Sequence, residues 1–332
     1  MTYKKIVLQK RPAGAPAVTD FAVVENDLPT LAEEEVLVKT LYLSIDPFLR
    51  NMMNEADFVG PSVPLGGVFG VLAAGEVLSS RSSAYREGDY VSGGWGWQTH
   101  AAVHAGRLTK VNPELGPVST SLGLFGISGL TAYFGMIEIG KPKPGETVVV
   151  SGAAGAVGMI AGQIAKLYGA KVIGIAGSDE KNAYLKKELG FDETINYRTS
   201  PDLIAAVRQA APEGVDVYFD NVGGAVSDAV IGYINPGARI PICGQISQYH
   251  SSTPESGPRV GMQLVKNNAL MQGFAFTQYE SRFPEALDLL SRWYKENKVK
   301  LEEHIIDGFE NAPKAFVDLF RGKNIGKFLV KA

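Results

Sequence analysis

The chain has 332 residues, which is more than one ordinary core needs and enough for two domains. Its formal net charge is -3 with acids and bases mixed along the sequence, so nothing favours binding to nucleic acid or to an anionic membrane. The single cysteine, Cys243, excludes an internal disulfide, and no apolar run is long enough for a membrane span or signal peptide. These features predict a cytoplasmic protein.

The first part of the chain, to about residue 120, is predicted to be rich in strands. Residues 36–43 and 67–77 have strand patterns separated by Gly and Pro turns, and residues 87–92 form a turn that enters another strand. This pattern indicates a small, barrel-like β domain.

From about residue 145 the pattern changes to alternating strands and helices. Strands are predicted at 147–150, 171–175, 216–220 and 238–243. Helices are predicted after the cap Ser178, from Ser200-Pro201-Asp202 with an N1 proline, and from about Gly224. Such repeated units predict a parallel, doubly wound sheet. A helix at 311–322 and a strand at 327–330 follow, and this last strand is expected to return to the first domain.

A run of small residues follows the first strand of this second part. In the register of the dinucleotide motif G-x-G-x-x-G, Ala153 replaces the first glycine, whereas Gly155 and Gly158 are retained. Glycine lets the backbone approach a ligand closely, and the next helix offers unpaired N–H groups. The segment therefore predicts a diphosphate site, with an ordinary strand–helix turn as the alternative.

The end of the second strand predicts which dinucleotide is bound. An NAD site places Asp or Glu there to bond the ribose hydroxyls, but this strand ends in Ala176-Gly177. Ser178 and Lys181 follow and can supply a hydroxyl, a helix N-terminus and an ammonium group to a 2′-phosphate. NADP is the predicted cofactor, although Lys181 could also be an ordinary surface lysine.

The sequence predicts no metal site. Cys243 and four histidines are the available soft ligands, and only His100 and His104 have an i, i+4 spacing, in a strand-like segment. Two partly exposed strand histidines are the simpler interpretation.

Several segments together resemble one known family. They are residues 46–50 (DPFLR), 129–135 (GLTAYFG), 154–158 (AGAVG), 177–181 (GSDEK), 218–224 (YFDNVGG), 242–249 (ICGQISQY) and 322–327 (GKNIGK). Over essentially its whole length, the chain resembles the zinc-independent prostaglandin reductase and NADP-dependent alkenal/enone double-bond reductase branch of the medium-chain dehydrogenase/reductase superfamily.

The resemblance implies an α/β fold with two domains and a homodimer. Residues 1–122 and 299–332 would form a GroES-like, β-rich domain completed by the C-terminus. Residues 123–298 would form a Rossmann domain with a doubly wound parallel sheet that binds NADP.

The resemblance also implies a set of cofactor contacts. Lys181 and Tyr197 would hold the 2′-phosphate, and the backbone at Phe274 and Phe276 would contact the nicotinamide. The full set is Thr131, Gly155, Ala156, Val157, Gly158, Ser178, Lys181, Tyr197, Asn221, Cys243, Gly244, Gln245, Ile246, Ser247, Tyr249, Phe274, Phe276 and Asn324. Besides Lys181, simpler interpretations stay open at four of these positions: a helix-capping Thr131, a turn-forming Asn221, an inert buried Cys243 thiol and a Tyr249 that only packs beside the cofactor.

The activity implied is reduction of the C=C bond of an α,β-unsaturated aldehyde or ketone. Hydride reaches the β-carbon, the resulting enolate is stabilised by hydrogen bonds, and solvent can protonate the α-carbon. Tyr249 and Lys266 are the candidate catalytic groups, and Phe48 and Arg50 the candidate substrate wall. Lys266 stands where some family members have a tyrosine, and could instead point to solvent. Phe48 stands where many have tyrosine, and Arg50 could be a structural ion-pair partner.

Other functions remain possible from the sequence. A quinone is also a conjugated carbonyl, so NADPH quinone reduction is the nearest alternative. Alcohol dehydrogenation is disfavoured by the missing zinc ligands. A non-catalytic NADPH-binding protein is the alternative of another class. The physiological substrate is not predicted, because residues 51–64 and 251–260 have no readable motif.

Overall fold

The computed structural model describes residues 2–55, 61–251 and 255–332. Parts of the two segments without a readable motif, 56–60 and 252–254, lie outside the described residues. The chain divides into two compact units, residues 1–122 with 303–332, and residues 123–302. The sequence placed the return to the first unit at residue 299, slightly before this division.

The strands, in chain order, are β1 (Thr2–Leu8), β2 (Phe21–Asp27), β3 (Glu35–Ser44), β4 (Ala73–Ser80), β5 (Tyr90–Gly93), β6 (His100–His104), β7 (Leu108–Lys110), β8 (Thr147–Ser151), β9 (Lys171–Ala176), β10 (Glu193–Asn196), β11 (Val215–Phe219), β12 (Ile234–Ile242), β13 (Leu270–Gly273), β14 (Glu303–Asp307) and β15 (Lys327–Lys331).

The α-helices are α1 (Ile127–Phe134), α2 (Ala156–Leu167), α3 (Asp179–Lys187), α4 (Leu203–Ala210), α5 (Gly224–Ile231), α6 (Gly261–Asn267), α7 (Phe283–Lys295) and α8 (Ala312–Phe320). A π-helical turn, Gly135–Gly140, continues α1. Short 3-10 helices cover Val18–Asp20, Pro47–Met53, Ala105–Arg107, Val118–Leu122, Ile246–Gln248, Phe276–Arg282 and Phe309–Asn311.

The first unit is built on a seven-stranded sheet with the order β14-β15-β3-β4-β5-β7, in which β6 also pairs with β3. Strands β1 and β2 form a separate antiparallel pair. The last strand, β15, pairs antiparallel with β3, with Leu329 opposite Ser44. The expected return of the chain end to the first domain is therefore confirmed.

The predicted strand at 67–77 is only partly present, because β4 begins at Ala73. Gly66 and Gly70 adopt φ of 77° and 82°, in the left-handed region that a regular strand excludes. A Cβ atom at Gly70 would lie 2.3 Å from the Trp97 ring, so the missing side chain also makes room for the indole.

Aromatic rings form the centre of the first unit's core. Phe69 lies edge-on to Phe21 and to Trp97, with ring centroids 5.0 Å apart in both pairs. Phe316 of α8 contacts the same cluster, with its ring centroid 5.6 Å from that of Phe69. The C-terminal segment thus contributes side chains to a core that begins near the N-terminus, which makes this unit discontinuous in sequence.

The second unit has a six-stranded parallel sheet with the order β10-β9-β8-β11-β12-β13. All five residues of β8 are buried, as expected for a strand covered on both faces. The strand order reverses between β8 and β11. The predicted doubly wound sheet is confirmed.

The caps of two helices test the sequence reading in detail. The Ser178 hydroxyl accepts a hydrogen bond from Lys181 N–H at 3.3 Å, which confirms Ser178 as the cap of α3. The predicted start of α4 was wrong, because Asp202 is the cap and accepts from Ala205 N–H at 3.0 Å. Pro201 therefore lies outside the helix, where the carboxylate is the stronger acceptor for its first turn.

Candidate cofactor and active site

All six parallel strands of the second unit end at one edge of the sheet, and most of the predicted cofactor residues lie in the loops that follow. The reversal of strand order between β8 and β11 is the topological switch point, next to which open α/β sheets bind their ligands.

The turn after β8 depends on Gly152, the residue just before the first position of the motif. Gly152 has φ of 59°, whereas Ala153 is fully buried and its N–H donates to Ile175 O at 3.1 Å. The conformational freedom required for the turn comes from Gly152, one residue earlier than expected. A Cβ atom at Gly158 would lie 2.4 Å from Gly152 O, so the retained glycine permits the helix to approach the turn.

The N-terminus of α2 is open to an anion. Its cap is Gly155, which provides no side-chain hydrogen bond. The N–H groups of Ala156, Val157 and Gly158 in the first turn therefore have no partner within the helix. This fits the diphosphate of a dinucleotide, which such N–H groups and the helix dipole stabilise.

After the neighbouring strands β9 and β10 lie residues 177, 178, 181, 197 and 198, which we call the phosphate end. A Cβ atom at Gly177 would lie 2.9 Å from the Tyr197 hydroxyl, so the phenol lies directly against this glycine. The Arg198 guanidinium lies 5.8 Å from the Tyr197 ring centroid. Arg198 is not among the residues predicted from the sequence.

Two cations, Lys181 and Arg198, lie at the phosphate end. Burial, and then the neighbouring Arg198 charge, lower the pKa of the Lys181 ammonium group. The Asp179 carboxylate accepts a hydrogen bond from Asn196 Nδ2 at 2.7 Å. Within the described part of the chain no carboxylate forms an ion pair with Lys181. A partly desolvated cation beside a second cation is the environment that a bound phosphate dianion would stabilise.

At the end of β11, Asp220 is the centre of a hydrogen-bond network that sequence reasoning missed. The network comprises Asp220 and the side chains of Ser151, Tyr218, Ser227 and Gln245, and we call it the Asp220 network. Oδ1 accepts, at 2.8–3.0 Å, from Ser151 Oγ, Tyr218 O–H, Val222 N–H and Gly223 N–H. Oδ2 accepts from Ser227 Oγ at 2.9 Å and Gln245 Nε2 at 3.1 Å.

Asn221 connects two strand ends. Its N–H donates to Ser151 Oγ at 2.9 Å and its Nδ2 donates to Ser151 O at 2.7 Å. The side chain is thus more than a local turn former, because it links β11 to β8. A direct cofactor contact by Asn221 stays a prediction.

The loop after β12, Cys243 to Tyr249, lies against the loop after β11. Cys243 N–H and Gly244 N–H donate to Asp220 O at 2.8 and 3.2 Å, and Ser247 N–H donates to Val222 O at 3.0 Å. Ile246 begins the short helix of this loop. The predicted contacts 243–247 and 249 are therefore brought next to Asn221 at the same sheet edge.

Two titratable groups of this loop are held in their neutral forms. Burial, with the nearby Asp220 charge, raises the pKa of the Cys243 thiol to about 12, although the residue keeps some solvent exposure. This favours the inert-thiol interpretation. Burial also raises the pKa of Tyr249, whose hydroxyl accepts a weak hydrogen bond from Gln245 N–H at 3.4 Å. Tyr249 is therefore a protonated phenol that can donate.

The segment after β13 is anchored by its rings. The Phe274 ring lies 6.3 Å from Phe219, and a Cβ atom at Gly135 would lie 2.4 Å from Phe274 Cζ. Phe276 stacks on Phe283 with ring centroids 5.6 Å apart. Gly273, just before Phe274, and Ala275, between the two rings, are exposed, so the backbone of this segment is presented at the sheet edge.

Two other predicted residues of this unit lie in helices. Thr131 lies inside α1, whose N-cap is Gly126, so the helix-cap alternative is wrong. Lys266 is exposed in the last turn of α6, where a cation interacts favourably with the helix dipole. The structure does not bring Lys266 into the hydrogen-bonded loops, and the solvent interpretation fits its position better.

In the first unit, Phe48 and Arg50 lie on the 3-10 helix Pro47–Met53. Phe48 is partly buried against the aromatic core. Arg50 is buried, and its guanidinium donates to Gly14 O at 3.0 Å, Pro12 O at 3.4 Å and Asn54 Oδ1 at 2.7 Å. These bonds join two distant segments, which is a structural role.

The loop that carries Asn324 is tied to the same 3-10 helix. Lys327 is 1% exposed and forms an ion pair with Asp46 at 2.5 Å, and Asp46 also accepts a hydrogen bond from Ser44 Oγ. Asn324 is buried and its Nδ2 donates to Gly326 O at 2.8 Å. The structure thus groups Phe48, Arg50 and the Asn324 loop within the first unit.

Among residues 2–55, 61–251 and 255–332, no group of three or more His, Cys, Asp or Glu side chains is placed to hold a metal ion. In the same residues, no helix combines the length and the apolar character that crossing a membrane requires.

Comparison with known proteins identifies the family. Residues 4–111 match a family described as the N-terminal domain of oxidoreductase, and residues 156–292 match one described as zinc-binding dehydrogenase. YfmJ of Bacillus subtilis, named provisionally as an NADP-dependent oxidoreductase, is 50% identical over 99% of this chain and 97% of its own. Prostaglandin reductase 1 of Bos taurus is 44% identical over 99% of both chains.

Two bacterial reductases are similar as well. The NADPH-dependent curcumin reductase of Escherichia coli is 39% identical over 99% of this chain and 96% of its own. The crystal structure of CurA from Vibrio vulnificus in complex with NADPH superimposes with a TM-score of 0.93, at 40% identity over 99% of both chains. The chain therefore belongs to the medium-chain dehydrogenase/reductase superfamily, in the branch of the prostaglandin and curcumin reductases. The resemblance and fold class predicted from the sequence are confirmed.

Proposed function

We propose that this protein is an NADPH-dependent oxidoreductase that reduces the C=C bond of α,β-unsaturated aldehydes and ketones. The observation that carries the cofactor assignment is the phosphate end, where the Lys181 ammonium group is partly buried and the Arg198 charge lies close to it. Among the described residues no carboxylate forms an ion pair with Lys181. The 2′-phosphate of a nicotinamide dinucleotide would supply a doubly negative partner for this ammonium group. The uncapped N-terminus of α2 suits its diphosphate.

The cofactor, when bound, supplies hydride for the β-carbon of the conjugated carbonyl. The chain's own contribution is to hold the reactants together and to donate hydrogen bonds to the carbonyl oxygen as negative charge develops there. Tyr249 is the proposed donor, because burial keeps its phenol protonated and its only bond in the described structure is a weak one that it accepts. Phe48 would provide an apolar wall, and solvent can protonate the α-carbon.

The substrate class is supported by the relatives. Two of them are named for the reduction of curcumin and of prostaglandins. Oxidation of NADPH should be followed with a panel of alkenals, cyclic enones, aryl enones and quinones, with the products identified. Saturation of the C=C bond of the enones supports the proposal. Preferential turnover of quinones would favour the quinone reductase alternative, and no turnover with any compound would favour a non-catalytic NADPH-binding protein.

We propose in addition that the protein forms a homodimer through the edge of the parallel sheet. Strand β13 is the last strand of that sheet, and next to it Met262 and Val265 of α6 are 75% and 71% exposed. Apolar side chains beside an open strand edge are normally covered by another surface.

The dimer can be tested by sedimentation. The parent protein should sediment as a dimer, and Val265→Glu should give a monomer. Ile204→Glu, at an exposed site on α4, is the control and should leave the dimer intact. A monomeric parent protein would refute this. The cytoplasmic location stays a prediction.

A further inference from the structure

Asp220 is a fully buried carboxylate at the switch point of the parallel sheet, with an exposed fraction of 0%. Its partners in the Asp220 network come from β8, β11, α5 and the loop after β12. Burying a carboxylate is costly, and most buried carboxylates are paired with a cation or a metal ion. Asp220 has neutral hydrogen-bond donors instead.

Every donor to Asp220 is electrically neutral. Two are backbone N–H groups, three are hydroxyls and one is an amide. Among residues 2–55, 61–251 and 255–332, no Lys, Arg or His forms an ion pair with it. An ionised carboxylate only accepts hydrogen bonds, so six donors on two oxygens are the environment of the charged form. A net negative charge is therefore held inside the sheet edge.

This charge acts on two neighbouring buried groups. The Asp220 carboxylate is the second cause, after burial, of the raised pKa of the Cys243 thiol. It acts in the same direction on Tyr218, whose pKa lies well above its ordinary value. Both effects are those of a negative charge that its hydrogen-bond donors screen incompletely.

The sheet order indicates which part of the cofactor lies near this charge. The phosphate end is at β9 and β10, on one side of the switch point, and Asp220 is on the other side, with β12 and β13. A dinucleotide bound with its 2′-phosphate at Lys181 spans the switch point and places its nicotinamide over β11 to β13. This step rests on the function proposed above.

We propose that Asp220 is a positioning residue whose negative charge stabilises the oxidised, cationic nicotinamide relative to the neutral reduced ring. Loss of hydride, with its two electrons, converts the neutral dihydropyridine ring into a pyridinium cation. A fixed anion near the bound ring would favour that change and would lower the reduction potential of the bound cofactor. Asp220 also holds Asn221 and Gln245 in place through its network.

The test compares the dissociation constants of NADP⁺ and NADPH by titration calorimetry, for the parent protein and for Asp220→Asn. The asparagine Oδ1 can keep the four donors of Oδ1. The asparagine Nδ2 can donate to Ser227 Oγ after the serine hydroxyl rotates, and to Gln245 Oε1 after the glutamine amide flips. The ratio Kd(NADP⁺)/Kd(NADPH) should rise about threefold to tenfold. A tenfold rise corresponds to about 30 mV for a two-electron couple.

A purely structural role would weaken both cofactor forms equally and leave the ratio unchanged, which would overturn the inference. Ser227→Ala decides the question if Asp220→Asn does not fold. It removes one neutral donor and leaves the charge less screened, so the ratio should fall below that of the parent protein. An unchanged or higher ratio in Ser227→Ala would also overturn the inference. If the parent protein binds neither NADP⁺ nor NADPH, the proposed function fails and the inference fails with it.

Discussion

The two ends of the candidate cofactor site, the phosphate end and the Asp220 network, carry side-chain charges of opposite sign. At the phosphate end, Lys181 and Arg198 lie close together beside an aromatic ring. In the Asp220 network, a carboxylate is buried among neutral donors. Both lie at the carboxyl edge of one sheet, so the fold places them but does not dictate their charge. We propose that the first arrangement selects a phosphorylated ligand and that the second stabilises the oxidised nicotinamide ring of that ligand.

The largest expected effect comes from removing the cation of the phosphate end. Lys181→Ala should weaken NADPH binding about tenfold to a hundredfold, since a hydrogen bond to a charged group contributes about 1.5–3 kcal/mol. NADH, which lacks the 2′-phosphate, should lose less than about twofold. Calorimetric titration with both nucleotides measures the difference.

Lys186→Ala is the matched control, because Lys186 lies on the same helix and is paired with Glu193 at 3.1 Å. It should leave both affinities unchanged. Equal losses for NADPH and NADH in Lys181→Ala would refute the assignment of the phosphate end.

The next largest effect is expected from substitution of Gly158, next to the turn after β8. Gly158→Ala places a Cβ atom 2.4 Å from Gly152 O, which is backbone and cannot move aside easily. We expect a loss of about 1–3 kcal/mol in the free energy of unfolding and weaker binding of NADPH and NADH alike. Gly261→Ala, where no heavy atom lies within 4 Å, is the control for thermal denaturation. A Gly158→Ala protein as stable as the parent would contradict the close approach.

Substitution of Tyr249 tests whether its hydroxyl donates a hydrogen bond to the substrate oxygen. Tyr249→Phe should lower kcat with an enone about tenfold, because one hydrogen bond to the developing oxyanion is lost. The affinity for NADPH should stay within about twofold, since the hydroxyl has only a weak bond at 3.4 Å. Because the pKa of the phenol is raised, the hydroxyl keeps its proton until the pH is high. Loss of this donor should therefore not lower the rate of the parent enzyme at any pH up to about 10. An unchanged kcat in Tyr249→Phe would remove the residue from the mechanism.

The smallest effect is expected at Lys266. Its ammonium group is exposed in the last turn of α6, so Lys266→Ala should change kcat and KM by less than about twofold. Steady-state kinetics beside Tyr249→Phe give the comparison directly. A tenfold loss would make Lys266 the better candidate for the donor.

Sequence patterns predicted the sheet and the part of the phosphate end that follows β9, because both depend on residues close together in the chain. Gly177, Ser178 and Lys181 follow one strand directly, and the strand–helix alternation is visible in the sequence. The Asp220 network could not be predicted, because Ser151 and Gln245 are brought to Asp220 only by the pairing of β8, β11 and β12. The buried role of Arg50 was hidden for the same reason, since its acceptors at Pro12 and Gly14 lie in a distant segment.

The central claim, that Lys181 and its neighbours hold a 2′-phosphate, can be tested by ³¹P nuclear magnetic resonance of bound NADP⁺. The second pKa of a free phosphate monoester is about 6. Two adjacent cations should keep the bound group a dianion, so its resonance should stay constant as the pH falls from 7.5 to about 5.5. A bound 2′-phosphate that titrates near pH 6, as it does in free solution, would contradict the account.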